Sequence, residues 1–205
     1  MARKCRHCKT EIPKTKDCTE PVQKAGFCTI DHMAKHGIEK AKATREKKER
    51  VEHRKAKENL KSASDWTKEA QKEFNRFVRL DDYKEGCISC NRTKEEVEAT
   101  DSWVVGGCWD AGHFRSRGAA SHLRFNRDNC HKQCKKCNGG AGKFSKKDAT
   151  VAQSYRENLI NKIGLDRVEA LENDNEPRKY TIDELKEIKT TYRKKANELA
   201  KNLEL

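Results

Sequence analysis

Long apolar runs are missing from this sequence of 205 residues. No stretch comes near the length of about 18 consecutive apolar residues that a membrane-spanning helix requires, and the polar N-terminus lacks the apolar segment of a secretory signal. Hydrophobic residues make up only 34% of the chain, whereas charged residues make up 39%, which argues against a single large core. We therefore expect a soluble, cytoplasmic protein that combines one domain of ordinary size with an appendage.

Acidic residues are too few to balance the basic ones. The chain has 33 aspartates and glutamates against 46 lysines and arginines, which gives a formal charge of +13 and a pI near 9.3. A lysine or arginine that neutralises a phosphate releases a condensed counterion, so this excess favours a polyanionic partner. Nucleic acid is the leading candidate, because membrane attachment, the competing use of basic charge, finds no apolar segment here.

The ten cysteines do not indicate a disulfide scaffold, because such scaffolds are typical of short secreted chains. Six of the cysteines fall into pairs separated by two residues, which is the spacing of zinc knuckles. The pairs are Cys5 with Cys8, Cys87 with Cys90, and Cys134 with Cys137. A tetrahedral zinc site holds four ligands, so three pairs predict two zinc sites, one of which needs further ligands.

The N-terminal pair, Cys5 and Cys8, requires two more ligands. Cys28 and His32 are four residues apart, a separation that one helical turn brings to a common face. We predict that these four residues bind zinc, with Cys18 as the alternative to His32 and a reduced cysteine cluster without metal as the competing interpretation. A small zinc ribbon of this kind serves DNA contact and protein docking about equally.

The other two pairs form a CxxC…CxxC set, a specific signature of a zinc site closed by four thiolates. The ligands are Cys87, Cys90, Cys134 and Cys137. Such a zinc joins segments more than forty residues apart, so its binding energy contributes directly to folding. Cys108 and Cys130 lie outside the paired spacing, and we expect small buried residues there rather than ligands.

Composition and periodicity divide the chain into four parts. Residues 38–64 contain no glycine or proline, and their apolar residues are too sparse for heptads, which predicts a charged, solvated helix. This helix serves either as a spacer or as a basic track for a phosphate backbone. The four parts are an N-terminal zinc module (1–37), a charged helical linker (38–64), a central core (65–147) and C-terminal helices (148–205).

Local signals predict three further elements. A cap at Ser64 or Asp65 begins a helix with an apolar stripe, and residues 103–105 read as a short strand. Thr181 and Glu184 form a capping box for the last helix. The apolar face of that helix indicates either core packing or the seam of a homodimer.

The segment between the two central CxxC pairs contains the candidate chemistry. His113 follows Asp110, Ala111 and Gly112 and precedes a basic stretch. A neutral imidazole can take a proton from water near pH 7. Asp110 and Gly112 share one face of a predicted strand, so the Asp110 carboxylate could reach a metal ion beside the histidine. By itself, a histidine near an aspartate is more often structural.

The order CxxC, Gly-His, Asn129, then CxxC followed at once by Asn138, resembles the HNH or ββα-metal endonucleases. In that family two strands and a helix surround one divalent ion, the histidine activates water, the middle asparagine orients the histidine loop, and a residue after the second CxxC binds the ion. The resemblance implies these roles for His113, Asn129 and Asn138. It also implies an α+β fold in which a zinc-stabilised ββα-metal core has flanking helices, an N-terminal zinc ribbon and a long charged helix. Many members have a carboxylate directly before the histidine; this chain has Gly112, and Asp110 is the substitute.

Nearly the whole chain resembles the NinG family, also called Rap, of lambda-like phages. The most specific segments are DWTKEAQKEFNRFVR, CISC, WDAGHFRSRG, LRFNRDNCHKQCKKCN and TIDELKEIK. The resemblance implies a structure-specific endonuclease of phage recombination that acts on branched DNA such as Holliday junctions and D-loops. It further implies a location in the infected bacterial host, with phage or host recombination proteins as partners.

We expect hydrolysis of a phosphodiester with one Mg²⁺ or Mn²⁺ held by Asn138 and Asp110. His113 would take a proton from the attacking water, and departure of the 3′ oxygen would leave 5′-phosphate and 3′-hydroxyl ends. Four arginines are placed to hold the DNA backbone: Arg115, Arg117, Arg124 and Arg127. The alternative is a non-catalytic zinc protein that binds branched DNA and docks recombination partners, because the same charge and the same zinc ligands would serve it.

Overall fold

The computed structural model describes residues 3–12, 25–139 and 146–204, with side chains from Val151 onward in the last range. The fold is a mixed α+β arrangement, mostly helical, with two small antiparallel sheets. It divides into two compact units, Met1–Lys61 and Ser62–Leu205. No helix among the described residues has the length and apolar character needed to cross a membrane.

The first unit begins with a small hairpin of strands β1 (Arg3–Lys4) and β2 (Glu11–Ile12). Behind the hairpin, Cys5, Ile12 and Phe27 are buried together. A core this small buries little apolar area, so a bound metal would account for much of its stability.

Helix α1 (Ile30–Asn59) completes the first unit and confirms the prediction of a charged, solvated helix. It contains no buried residue. It begins earlier than predicted because the side chain of Thr29 caps it, accepting a hydrogen bond from the His32 N–H. The cap places His32 in the first turn, four residues after Cys28.

The second unit begins with α2 (Ala63–Asp81), whose apolar stripe is confirmed: Trp66, Ala70, Phe74 and Val78 are all buried. The helix starts two residues earlier than predicted. Ser62 is the cap, and Asp65 is its partner in a reciprocal capping box.

The last helix, α7 (Ile182–Asn202), packs on α2, and its predicted capping box between Thr181 and Glu184 is confirmed. Ion pairs join Glu69 to Lys189 and Glu73 to Arg193, so the two helices run parallel. Leu185 and Ala196 are buried. Packing against the core, rather than a homodimer seam, therefore accounts for the burial of Leu185 and Ala196.

Between these helices the chain forms α3 (Lys94–Asp101), strand β3 (Trp109–His113), strand β4 (Cys130–Cys134) and α4 (Lys135–Asn138). The strands are antiparallel, with His113 opposite Cys130. Helices α5 (Lys146–Ile163) and α6 (Leu165–Asn173) follow and build a second apolar core with the loop after β3. The hairpin thus lies between helices that hold its backbone in place.

The predicted strand at residues 103–105 is wrong. Val104 N–H donates to the Asp101 carbonyl, and Gly107 N–H donates to the Val104 carbonyl, so the segment forms consecutive turns. Gly106 and Gly107 both have positive φ, which breaks extended backbone. Trp103 and Val105 remain exposed, at 77% and 93%. We call Trp103, Val104 and Val105 the apolar tip.

Candidate active site and metal centres

A pocket of about 470 Å³ lies at the end of the β3–β4 hairpin. Three predicted site residues, Asp110, His113 and Asn138, line it together. Arg117 and Asn75 also face it. The order of the elements explains why these residues lie together. Strand β3 carries Asp110 and His113, and the short helix directly after β4 carries Asn138.

His113 has a defined tautomer. Its Nε2 lies 3.0 Å from the carbonyl oxygen of Arg124, and because a carbonyl only accepts, Nε2 carries the proton. Nδ1 is therefore the basic nitrogen, and it lies 3.7 Å from the sulfur of Cys130. Burial lowers the pKa of His113, the hydrogen bond to Arg124 opposes this, and the charges of Arg117 and Arg124 lower it further. The imidazole is therefore neutral near pH 7 and able to accept a proton.

Asp110 and Asn138 are joined directly, since Asn138 Nδ2 donates to Asp110 Oδ2 over 3.0 Å. The bond leaves the amide oxygen of Asn138 and the second carboxylate oxygen of Asp110 as possible ligands. Oxygen donors of this kind, with a neighbouring imidazole, fit Mg²⁺ or Mn²⁺, which is held by one or two carboxylates and keeps several waters.

Gly112 directly precedes His113, at the position where the HNH resemblance would place a carboxylate, and the packing leaves no room for one. A Cβ at this position would lie 2.0 Å from Oε1 and 2.9 Å from Cβ of Gln133. Gln133 is itself buried and donates to the Ser89 hydroxyl over 2.7 Å. A side chain at position 112 is thus excluded, and Asp110 is the carboxylate that remains.

Asn129 is fully buried and fixes the loop that follows His113. Its Oδ1 accepts from the Arg115 N–H at 2.8 Å, and its Nδ2 donates to the carbonyls of Arg115 and Leu123. Three hydrogen bonds thus hold both sides of the loop.

The four arginines expected to hold DNA differ in their surroundings. The guanidinium of Arg115 donates to the carbonyls of Leu171 and Asp174, and that of Arg127 pairs with Asp81 and Asp82. These two side chains are engaged within the protein.

The other two arginines, Arg117 and Arg124, differ from this pair. No carboxylate of a described residue lies within 4.0 Å of either guanidinium.

Sequence reasoning missed several residues around the pocket. Asn75 and Arg79 reach this region from α2. Burial lowers the pKa of Arg79, while the charge of Asp110 raises it. Tyr155 is buried and its hydroxyl donates to the Gly112 carbonyl over 3.0 Å, which ties α5 to β3. None of these residues belongs to a local motif, so no spacing pattern could have found them.

A buried aspartate, Asp82, was also missed. Its carboxylate accepts hydrogen bonds from Arg127, Lys162 and the Lys132 N–H, and it lies 3.5 Å from His131. Burial would raise the pKa of Asp82, but these partners hold it far below its usual range. The charged carboxylate joins the end of α2 to β4 and α5.

The central cysteine cluster is confirmed as a set that could hold zinc. The sulfurs of Cys87, Cys90, Cys134 and Cys137 all lie within 4.8 Å of one another. Cys90 and Cys134 are 3.9 Å apart, close to the separation of about 3.8 Å that tetrahedral zinc with bonds of about 2.3 Å imposes on two thiolates. Arg92 donates to Cys134 Sγ over 3.4 Å and would offset the negative charge of four thiolates.

The N-terminal cluster is confirmed in the same sense. Cys5, Cys8, Cys28 and His32 place their donor atoms within 4.8 Å of one another, with Nδ1 of His32 facing Cys28 Sγ. Cys8 and Cys28 are 3.6 Å apart. Cys18, the alternative ligand, lies outside the described residues. Cys108 and Cys130 are buried and belong to neither cluster, as predicted.

Comparison with known proteins gives one family. The model of the family described as Bacteriophage Lambda NinG protein matches residues 1–204. Protein ninG of Escherichia phage lambda is 37% identical over 140 residues, which covers 68% of this chain and 60% of that protein. Protein ninG of Salmonella phage P22 is 36% identical over the same shares, and Protein ninG of Enterobacteria phage H19B is 33% identical over 84% of each chain. The chain therefore matches about three fifths of the lambda and P22 relatives. No solved structure is significantly similar to it.

Proposed function

This chain belongs to the NinG family, and we propose that it is a metal-dependent endonuclease with an HNH-like core that hydrolyses phosphodiester bonds in branched DNA. The observation that carries the proposal is the pocket that Asp110, His113 and Asn138 line together. Two antiparallel strands followed by a short helix supply these residues, which is the chain order of a ββα-metal centre. The zinc-type cysteine cluster joins the same segments.

Each residue of the pocket has a distinct role in this mechanism. Asp110 and Asn138 would hold a Mg²⁺ or Mn²⁺ ion, which when bound stabilises negative charge on the phosphate and on the leaving 3′ oxygen. His113 takes the proton of the attacking water on Nδ1, while its Nε2–H stays bonded to the Arg124 carbonyl. Asn129 holds the loop that keeps His113 in this orientation. The products carry 5′-phosphate and 3′-hydroxyl ends.

DNA as the substrate is supported by charge. The net charge of +13 favours a polyanion, and Arg117 and Arg124 lie close enough to His113 to lower its pKa. Their guanidinium groups are thus placed to contact phosphates near the scissile bond. Preference for branched DNA rests on the family resemblance of the central segments.

The apolar tip supports contact with unstacked bases. Lys135 Nζ donates to the Val105 carbonyl over 2.6 Å, and Lys135 belongs to the same helix, α4, as Asn138. The tip is therefore tied to the element that carries a pocket residue. Exposed aromatic side chains stack on bases that have left a duplex, as bases at a branch point do.

A labelled four-way junction, incubated with and without Mg²⁺ or Mn²⁺, tests the proposal, with a duplex of the same sequence as control. We expect metal-dependent cutting of the junction that His113→Ala reduces about 10²- to 10⁴-fold while zinc content and junction binding stay unchanged. His53→Ala, on the exposed face of α1, is the matched control and should cut normally. Binding without any cutting by the unaltered protein would instead favour the non-catalytic branched-DNA-binding alternative.

A further inference from the structure

A third group of metal-binding side chains lies in the first unit, apart from the cysteine clusters. It consists of His7, His36 and Glu39, whose donor atoms all lie within 4.8 Å of one another. We propose that these three residues form a second transition-metal site, of the zinc type, beside the N-terminal cysteine cluster. The proposal does not depend on nuclease activity.

Two elements bring the three side chains together. His36 and Glu39 are three residues apart on α1, so they share one face of the helix. His7 reaches them from the turn between Cys5 and Cys8, the same turn that supplies half of the cysteine cluster. The cluster and the cap at Thr29 thus fix both elements before any ion binds at the second site.

One ring nitrogen of His7 lacks a hydrogen-bond partner, which indicates that a ligand can bind there. His7 Nδ1 is buried and has no hydrogen-bond partner among the described residues, although it lies 3.3 Å from Glu39 Oε2. A buried nitrogen without a partner is unfavourable, because the loss of its hydrogen bond to water is not compensated. A cation between the imidazole and the carboxylate would satisfy both groups. A simple ion pair of His7 and Glu39 would not require a donor atom of His36 to approach the same point.

The donor set defines the chemistry of the ligand. Two imidazoles and one carboxylate are the protein ligands of open zinc sites, in which the fourth position is left to water or another ligand. Imidazole nitrogens favour zinc and other first-row transition metals over Mg²⁺ or Ca²⁺. A further ion at this site would therefore be zinc-like and would keep one exchangeable position.

The neighbouring cysteine cluster favours a second cation electrostatically. Three thiolates and one neutral histidine around Zn²⁺ carry a net negative charge. The rings of His7 and His32, one from each site, are 5.0 Å apart between centroids. A second cation at this short range is attracted by the first site rather than repelled. His36 is held in place by Phe27, whose ring lies 5.3 Å away.

Cobalt titration of the full, metal-free chain, read by native mass spectrometry and absorbance, tests the site. Co²⁺ bound by thiolates gives an intense charge-transfer band, whereas Co²⁺ bound by histidine and carboxylate gives only weak d–d bands. We expect His36→Ala and Glu39→Gln each to lose one bound Co²⁺ that lacks the thiolate band. The thiolate bands themselves should stay unchanged.

Two matched variants on the same helix, His53→Ala and Glu52→Gln, are the controls for the number of bound Co²⁺ ions. Both positions are exposed, so neither variant should lose a bound Co²⁺. Comparison with these controls also cancels any Co²⁺ bound at the pocket of the second unit. Equal cobalt counts in Glu39→Gln and Glu52→Gln would overturn the proposal. If His36→Ala disturbs the thiolate bands, the result for Glu39→Gln is decisive. The Glu39 side chain is 66% exposed, so its replacement leaves the fold intact.

Discussion

Asn138 at the end of α4 donates a hydrogen bond of 3.0 Å to the carboxylate of Asp110 in β3. The bond joins two residues that are 28 positions apart and places their oxygens at one end of the pocket. In the proposed mechanism this pair is the protein part of the divalent-ion site.

Asp110→Asn should therefore weaken metal-dependent cleavage. The change keeps the shape of the side chain but removes the charge that attracts the ion, so we expect the cleavage rate to fall on the order of 100-fold. The measurement is single-turnover cleavage of a saturating junction across a Mg²⁺ series. Asp183→Asn is the control, because that side chain is 93% exposed on α7. Equal rates for both variants would remove Asp110 from the metal site.

Both cysteine clusters could be predicted because a zinc knuckle is a local signal. CxxC spacing identifies the ligands, and one helical turn identifies Cys28 and His32. The same holds for the helix caps: Thr181 caps the last helix as predicted, and the cap of α2 lies at Ser62, close to the predicted Ser64 or Asp65. The pocket is different, since Asn75 reaches it from a helix that precedes β3 by about thirty residues. Only tertiary packing brings that side chain there.

The arginines show why basic residues are hard to interpret from sequence. Arg127 and Arg117 belong to similar basic stretches, yet Arg127 is engaged by Asp82, 45 positions earlier in the chain. The strand predicted at residues 103–105 failed for a related reason. Valine and tryptophan favour strands only when a partner strand is available, and here two glycines with positive φ turn the chain away.

The pH dependence of cleavage should follow His113. The general base acts in its neutral form, so activity is lost as pH falls through its pKa. Burial and the nearby arginines hold that pKa below the ordinary value of 6.5. We expect cleavage to be half-maximal below pH 6.5 and level above it, with the midpoint shifted upward in Arg117→Ala because a positive charge has been removed. Rates are measured on saturating junction at constant Mg²⁺. A midpoint above pH 7 in the unaltered protein would contradict this assignment.

Loss of the central zinc ligands should unfold the second unit without affecting the first. Cys90 and Cys8 are both exposed, so Cys90→Ser and Cys8→Ser form a matched pair. All three tryptophans lie in the second unit, so their fluorescence reports on that unit alone. We expect Cys90→Ser to lower the melting temperature seen by tryptophan fluorescence by about 10 °C or more, and Cys8→Ser to change it by less than about 2 °C. A shift of less than about 2 °C in Cys90→Ser would show that the central cluster does not stabilise the core.

Arg117 and Arg127 should respond differently to alanine substitution. Arg117→Ala removes one phosphate contact, so the slope of log affinity against log salt should decrease by about 1, with stability unchanged. Arg127→Ala deprives the buried Asp82 of a partner and should lower the free energy of unfolding by about 3 kcal/mol. Salt titrations of junction binding and denaturant unfolding of both variants measure these effects. A normal salt slope in Arg117→Ala would place that side chain away from the DNA.

Trp103 should contact unstacked bases at a branch. Its indole N–H is already bonded to the Thr100 carbonyl at 3.1 Å, while its side chain stays on the surface. Stacking on one base contributes about 1–3 kcal/mol, so Trp103→Ala should weaken junction binding about 5- to 150-fold and duplex binding much less.

Fluorescence can assign this contact to a single residue. Trp66 is buried, and Trp109 is half-buried with Lys132 Nζ 4.2 Å from its ring centroid, so Trp103 is the tryptophan open to DNA. Junction binding should quench the tryptophan signal, and Trp103→Phe should remove most of the quenching while keeping most of the affinity, because phenylalanine still stacks. Quenching that persists in Trp103→Phe would mean that the apolar tip does not meet the bases and that the branch is recognised elsewhere on the protein.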